Sequence, residues 1–189
     1  MDVADLGVLV GAVRRALASP RRMYLVNATS HIVMGWRDSV PRFELAGDAA
    51  LAPTLRDAAA ALGMDIIWES PAEVVPAPAG WEERSRLVEG GLAEPGPLEL
   101  RHFDPYCVVI RLIARGDEPD YLNALEYLRH GWVAMSRLEG LISEMLPSMN
   151  MRTLAQDPAE FRRKFKGLRQ LWTSESARAD ALGFTAASW

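Results

Sequence analysis

The chain is poor in the residues that build the most familiar catalytic and metal centres. Of 189 residues one is cysteine, Cys107, and three are histidines, His31, His102 and His130. A single thiol excludes a disulfide within the chain and a zinc cluster built from cysteines, and histidines this far apart have no metal-ligand spacing. No Gly-x-Ser-x-Gly elbow, Walker A lysine loop or Gly-x-Gly-x-x-Gly turn occurs. Apolar runs long enough to span a membrane, about 18 residues or more, are missing too. The opening residues Met1-Asp2-Val3-Ala4-Asp5 lack a basic and apolar leader, so a cytoplasmic setting without membrane attachment is expected. Positive charge is not in excess: 21 Lys and Arg stand against 25 Asp and Glu, a net charge of −4. That balance argues against broad attraction to a nucleic-acid backbone and leaves a local basic patch as the only route to such a partner.

What is present is enough apolar side chain, 49% of the residues, to bury a core. Val3, Leu6, Val10, Val13 and Leu17 recur at helical spacing, and Pro20 stops the run. Leu51, Leu55, Ala59 and Leu62 form a second stripe, closed by Gly63. Residues 64–69 and 98–103 read as strands, the latter with Glu99 and Arg101 on one face. Between them Pro71, Pro76, Pro78, Pro95 and Pro97 punctuate a long loop centred on Trp81-Glu82-Glu83-Arg84, either a surface flap pinned by Trp81 or a substrate lid. From Asp104 onward the periods are helical: a run through Tyr106, Val109, Ile110 and Ile113, another from Pro119 to Arg129, and a third opening at Ser136. A fourth starts at Asp157-Pro158 with the stripe Phe161, Phe165, Leu168 and Trp172. Its other face carries Arg162, Arg163, Lys164, Lys166 and Arg169, a solvated surface or the seat of an anionic partner. The expected architecture is an α/β core over residues 1–103, with a small mixed sheet flanked by helices, and a helical C-terminal region over 104–189 packed on that core.

The most informative stretch runs from Met23 to Leu45. Met23-Tyr24-Leu25-Val26 is a short apolar strand, Asn27-Ala28-Thr29-Ser30 a turn leading into a helix at Thr29 or Ser30, and Arg42-Phe43-Glu44-Leu45 alternates like a half-buried strand. This order resembles the nucleotidyltransferase superfamily that includes DNA polymerase β, and most closely its small bacterial branch related to AbiEii-type toxins. In that branch a strand leads to a Gly-Gly-Thr/Ser turn, a helix ends in Gly-x-Arg-x-Ser/Thr, and the next strand carries Asp-x-Asp. The corresponding residues here are Asn27-Ala28-Thr29-Ser30, Gly35-Trp36-Arg37-Asp38-Ser39 and Arg42-Phe43-Glu44.

The resemblance implies a nucleotidyltransferase-like fold over about residues 1–170 and a defined set of candidates. Glu44 stands where a metal-binding catalytic carboxylate is expected, Arg42 replaces its partner with a cation, and Glu99 is the positional candidate for a third carboxylate or else an exposed strand glutamate. Asn27, Ala28, Thr29, Ser30, Arg37 and Ser39 fall where the family holds nucleotide phosphates, the hydroxyls of Thr29 and Ser30 serving as donors or as ordinary helix caps. Arg111 and Arg115, with Asp120, match basic positions facing a triphosphate or else make helix-end salt bridges. Nucleotidyl transfer needs two divalent metals, so a working enzyme would use Mg2+ and a nucleoside triphosphate, with Asp38 or Asp48 as further substitute ligands. Two readings stand side by side. In one, catalysis is lost and the fold binds a nucleotide, another anion or a protein partner, in a toxin–antitoxin or phage-defence pair. In the other, nucleotide monophosphate is transferred to an RNA, protein or small molecule. A third, without nucleotide, is a scaffold that forms a homodimer through Trp- and Met-containing surface.

Overall fold

The computed structural model describes residues 1–69, 77–148 and 157–181. Residues 70–76 of the proline-rich loop and 182–189 of the tail lie outside them. Two compact units result, Met1–Val74 with Gly80–Asp104 and Val75–Ala79 with Pro105–Trp189.

The first unit is built on a five-stranded mixed sheet. Its elements are α1 (Val3–Ala16), β1 (Arg21–Leu25), α2 (Ala28–Val33), β2 (Phe43–Gly47), α3 (Ala52–Leu62), β3 (Ile66–Glu69), α4 (Trp81–Arg84), β4 (Arg86–Leu87) and β5 (Leu98–His102). The strand order is β3-β2-β1-β5-β4. β1 runs antiparallel to β2 and parallel to β5, while β2 and β3 are parallel and β4 and β5 antiparallel. Asp2 starts α1 by accepting from the amides of Ala4 and Asp5, and Asp5 returns the bond. Gly63 ends α3 in the left-handed conformation that favours glycine.

Because strand side chains alternate, the sheet has two unlike faces. Met23, Leu25, Phe43, Leu45, Leu98 and Leu100 join Leu6, Leu9, Val10 and Val13 of α1 and Leu55 and Ala59 of α3 in one buried core. The other face receives Arg22 and Tyr24 from β1, Glu44 and Ala46 from β2, Glu69 from β3 and Glu99 and Arg101 from β5. Gly47 is required on the core side, where an added Cβ would lie 2.6 Å from the Trp68 ring and 2.8 Å from the Arg22 carbonyl.

The second unit is helical: α5 (Pro105–Arg115), α6 (Glu118–Arg129), α7 (Met135–Met145) and α8 (Pro158–Ala181). Arg129 of α6 bonds Glu126 and Glu175, and Lys164 of α8 donates to the last carbonyls of α5, Ala114 and Arg115, at 2.8 Å each. Lys164 is thereby turned inward, while Arg162, Arg163, Lys166 and Arg169 stay exposed. Among the described residues no helix is long and apolar enough to cross a membrane.

Two features differ from the pattern expected of the sequence. α2 begins at Ala28, so Thr29 and Ser30 lie inside its first turn, and it ends earlier, at Val33. Gly35 at φ 71° closes it, with Trp36 N donating to His31 O and Gly35 N to Ile32 O, the paired bonds of a glycine-closed helix end. The loop expected between β3 and β5 holds the short helix α4 and the two-residue edge strand β4.

Candidate functional site

The turn after β1 is unusual in its backbone. Asn27 sits at φ 49° and ψ −127°, the first central position of a mirror-image turn, where glycine is normally favoured. Its side chain offsets some of that cost: Nδ2 donates to Glu44 Oε1 at 3.0 Å. Glu44 is tied twice more, its amide donating to Thr29 Oγ1 at 2.7 Å and its carbonyl accepting from Val26 N at 3.0 Å. Ser30 Oγ donates to the Leu25 carbonyl. The turn at 27–30 and the β2 glutamate are therefore one hydrogen-bonded unit, and Glu44 Oε2 is buried within it without a hydrogen-bond partner.

Burial changes the role open to the turn residues. Asn27, Ala28, Thr29 and Ser30 are at most 7% exposed, and both hydroxyls bond within the protein. They shape the end of β1, where the chain turns into α2; Arg37, Ser39 and Arg42, in the stretch between α2 and β2, are exposed. Arg42 lies one residue before β2, whereas Phe43 and Leu45 are buried in the core.

Glu99 is not brought to Glu44. It lies opposite Arg22, whereas Glu44 lies opposite Val26, so the two are separated by four residues along β1, roughly 13 Å of strand, and by two strand spacings. Its carboxylate is bound by Arg22 at 2.6 Å and Arg101 at 2.7 Å. The Arg101 hydrogen bond, with Arg22 behind it, holds the acid below the usual carboxylate range despite desolvation. Asp38 and Asp48 are exposed, and Asp48 follows the end of β2. Arg111 and Arg115 belong to α5 of the second unit, where Arg115 forks onto Asp120 at 2.5 and 3.2 Å.

No family model, curated protein or solved structure matches this chain.

Among the described residues the candidate carboxylates Glu44 and Glu99 are not gathered into one group. Among the described residues no group of three or more His, Cys, Asp or Glu side chains could hold a metal ion. Glu44 spends one oxygen on Asn27, a cation stands two residues before it, and Glu99 is neutralised elsewhere. Glu69, absent from the sequence-based candidates, shares the outer face with Glu44 through the Ala46–Glu69 pairing.

The sequence marks Trp81 as a pin for the loop and sets Glu99 and Arg101 on one strand face, but it does not join them into the aromatic and charged cluster that the structure forms farther along the same face. Trp81 of α4 packs on Tyr24 and Phe103, with ring centres 5.6 and 5.0 Å apart, and Tyr24 meets Phe103 edge-on. Arg84 anchors the same helix through two bonds to one oxygen of the fully buried Asp104, at 2.7 and 3.0 Å. Beside this cluster is an open cleft of about 550 Å³, lined among others by Arg21, Arg22, Tyr24, Asp48, Trp81 and Glu99. The signal available was polar residues two apart in each of two strands, Arg22 with Tyr24 and Glu99 with Arg101. Their meeting depends on a parallel pairing that local spacing does not reveal.

Proposed function

We propose that the first unit is a nucleotidyltransferase-like core that keeps the frame of that fold, has lost metal-dependent transfer, and acts by binding. The ligand is an anion, a nucleotide foremost, or a protein partner of the toxin–antitoxin or phage-defence kind, taken at the solvent edge formed by Arg37, Ser39 and Arg42. One observation carries this reading: Glu44 is strapped to the turn through Asn27 and Thr29, which supports the superfamily's relation between turn and carboxylate strand. The strained Asn27 backbone gives further support, because a costly conformation kept where the family has glycine fits an inherited turn. Arg42 and the ion-paired Glu99 support loss of metal chemistry, since a cation beside Glu44 repels the ions that transfer requires.

The test is calorimetric titration with each nucleoside triphosphate, with and without Mg2+, followed by a radiolabel transfer assay. Nucleotide binding that needs no metal, weakened by Arg42→Ala, with no label transferred, is the expected result. Transfer that depends on Mg2+ and disappears in Glu44→Ala would establish an active nucleotidyltransferase instead. Absence of nucleotide binding under both conditions removes the nucleotide as ligand.

A further inference from the structure

The cleft on the outer sheet face contains an ion pair that its residues could make and do not. Met23 pairs with Gly47 in the antiparallel β1–β2 ladder, so Arg22 and Asp48 are the next residues opposite each other, at a spacing of about 5 Å between Cβ atoms in such pairs. Arg22 turns instead to its other neighbour. Its Nε donates to Glu99 at 2.6 Å and its Nη1 to the Tyr24 hydroxyl at 3.4 Å, which leaves Nη2 without a partner among the described residues. Asp48 and, from α4, Glu82 are exposed carboxylates with no side-chain partner among the described residues, and both line the same cleft as Arg22. The half-buried Trp81 forms part of its wall, held by ring contacts to Tyr24, which lines the cleft too, and to Phe103.

A guanidinium fixed by a carboxylate and a phenol is preorganised for an incoming carboxylate, because its remaining donors already point one way. Two solvated acids beside an indole face suit an ammonium group, through ion pairing and attraction to the ring. Arg21 and Arg22 stand against Asp48, Glu82 and Glu99, so the lining as a whole repels a polyanion while offering a site for each sign of charge. We propose that this cleft binds an amino acid as its zwitterion, with the ligand carboxylate on Arg22, its ammonium between Asp48 and Glu82, and an apolar or aromatic side chain against Trp81. The site lies at the other end of the sheet face from Glu44 and does not rest on the superfamily resemblance.

Calorimetric titration of the full chain tests it with L-phenylalanine, phenethylamine, hydrocinnamate and ATP, the middle two each lacking one of the two charges. Phenylalanine is expected to bind, and each single-charge analogue to bind about tenfold more weakly or worse. Asp48→Asn, a change at an exposed carboxylate, should weaken phenylalanine by a similar factor without moving the thermal midpoint. Trp81→Ala should weaken the aromatic amino acid more than alanine. Hydrocinnamate binding as tightly as phenylalanine would make the cleft a plain anion site and overturn the proposal. ATP displacing phenylalanine would do the same, as would failure of every amino acid in an apolar and aromatic panel to bind at millimolar concentration.

Discussion

Three buried polar residues carry tests of their own. At Asn27 the backbone conformation suits glycine, while the side chain holds Glu44. Asn27→Gly therefore loses the hydrogen bond and relieves the strain, whereas Asn27→Ala loses the bond and keeps the strain. Denaturant unfolding should find the alanine variant less stable than the glycine variant by about 1 kcal/mol. His102 is buried on β5, and burial first, then the charge of Arg86, pushes its pKa from 6.5 to about 4. A depressed folded-state pKa means that the unfolded chain takes up the proton first. This contribution is fully present above pH 6.5 and is lost as pH falls from 6.5 through 4, a change on the order of 3 kcal/mol. Unfolding free energy followed over that window should show the fall, and His102→Leu should flatten it. Asp104 is fully buried and binds Arg84. Asp104→Ala leaves the guanidinium without its carboxylate and should cost about 3–5 kcal/mol by chemical unfolding.

Among the elements, α2 is too short to be stable by itself and owes its position to two hydroxyls. Ser30 ties it to β1 and Thr29 ties it to β2. Thr29→Val conserves shape and removes the acceptor for the part-buried Glu44 amide, so about 1–3 kcal/mol should be lost. Hydrogen exchange at Glu44 should quicken more than at Leu25 in that variant. The elements legible from sequence were those with a full local period: α1 from Leu6, Val10 and Val13, α3 up to Gly63, and β2 from the buried Phe43 and Leu45 around Glu44. β4 has only Arg86 and Leu87, too few residues for a period, and exists because β5 offers an edge to pair with. The start of α2 was misplaced because Asn27 makes no side-chain cap and marks the turn through its backbone. The outer-face cluster depends on contacts such as Arg22 with Glu99, 77 residues apart, which no short window contains.

For the molecule as a whole, a mixed sheet flanked by helices and a helical C-terminal half follow from strands and helices that alternate up to residue 103 and from helical periods alone after it, and both were legible in outline. Site chemistry was legible only in part. The grouping of residues 27–30 with Glu44 follows from the order strand, turn, helix, strand, but the burial of the turn hydroxyls does not, because it depends on how closely α2 sits against β1 and β2. Net charge belongs to this scale too: at −4 the chain should not be held by bulk nucleic acid, and any retention should be confined to the exposed basic residues of α8 and fall with salt. The central claim, a nucleotidyltransferase-like frame without its metal chemistry, is tested most directly by incubating the chain with labelled nucleoside triphosphate and Mg2+ and looking for labelled product. The account predicts no transfer above background, and none gained or lost in Glu44→Ala; Mg2+-dependent transfer abolished by that substitution would contradict it.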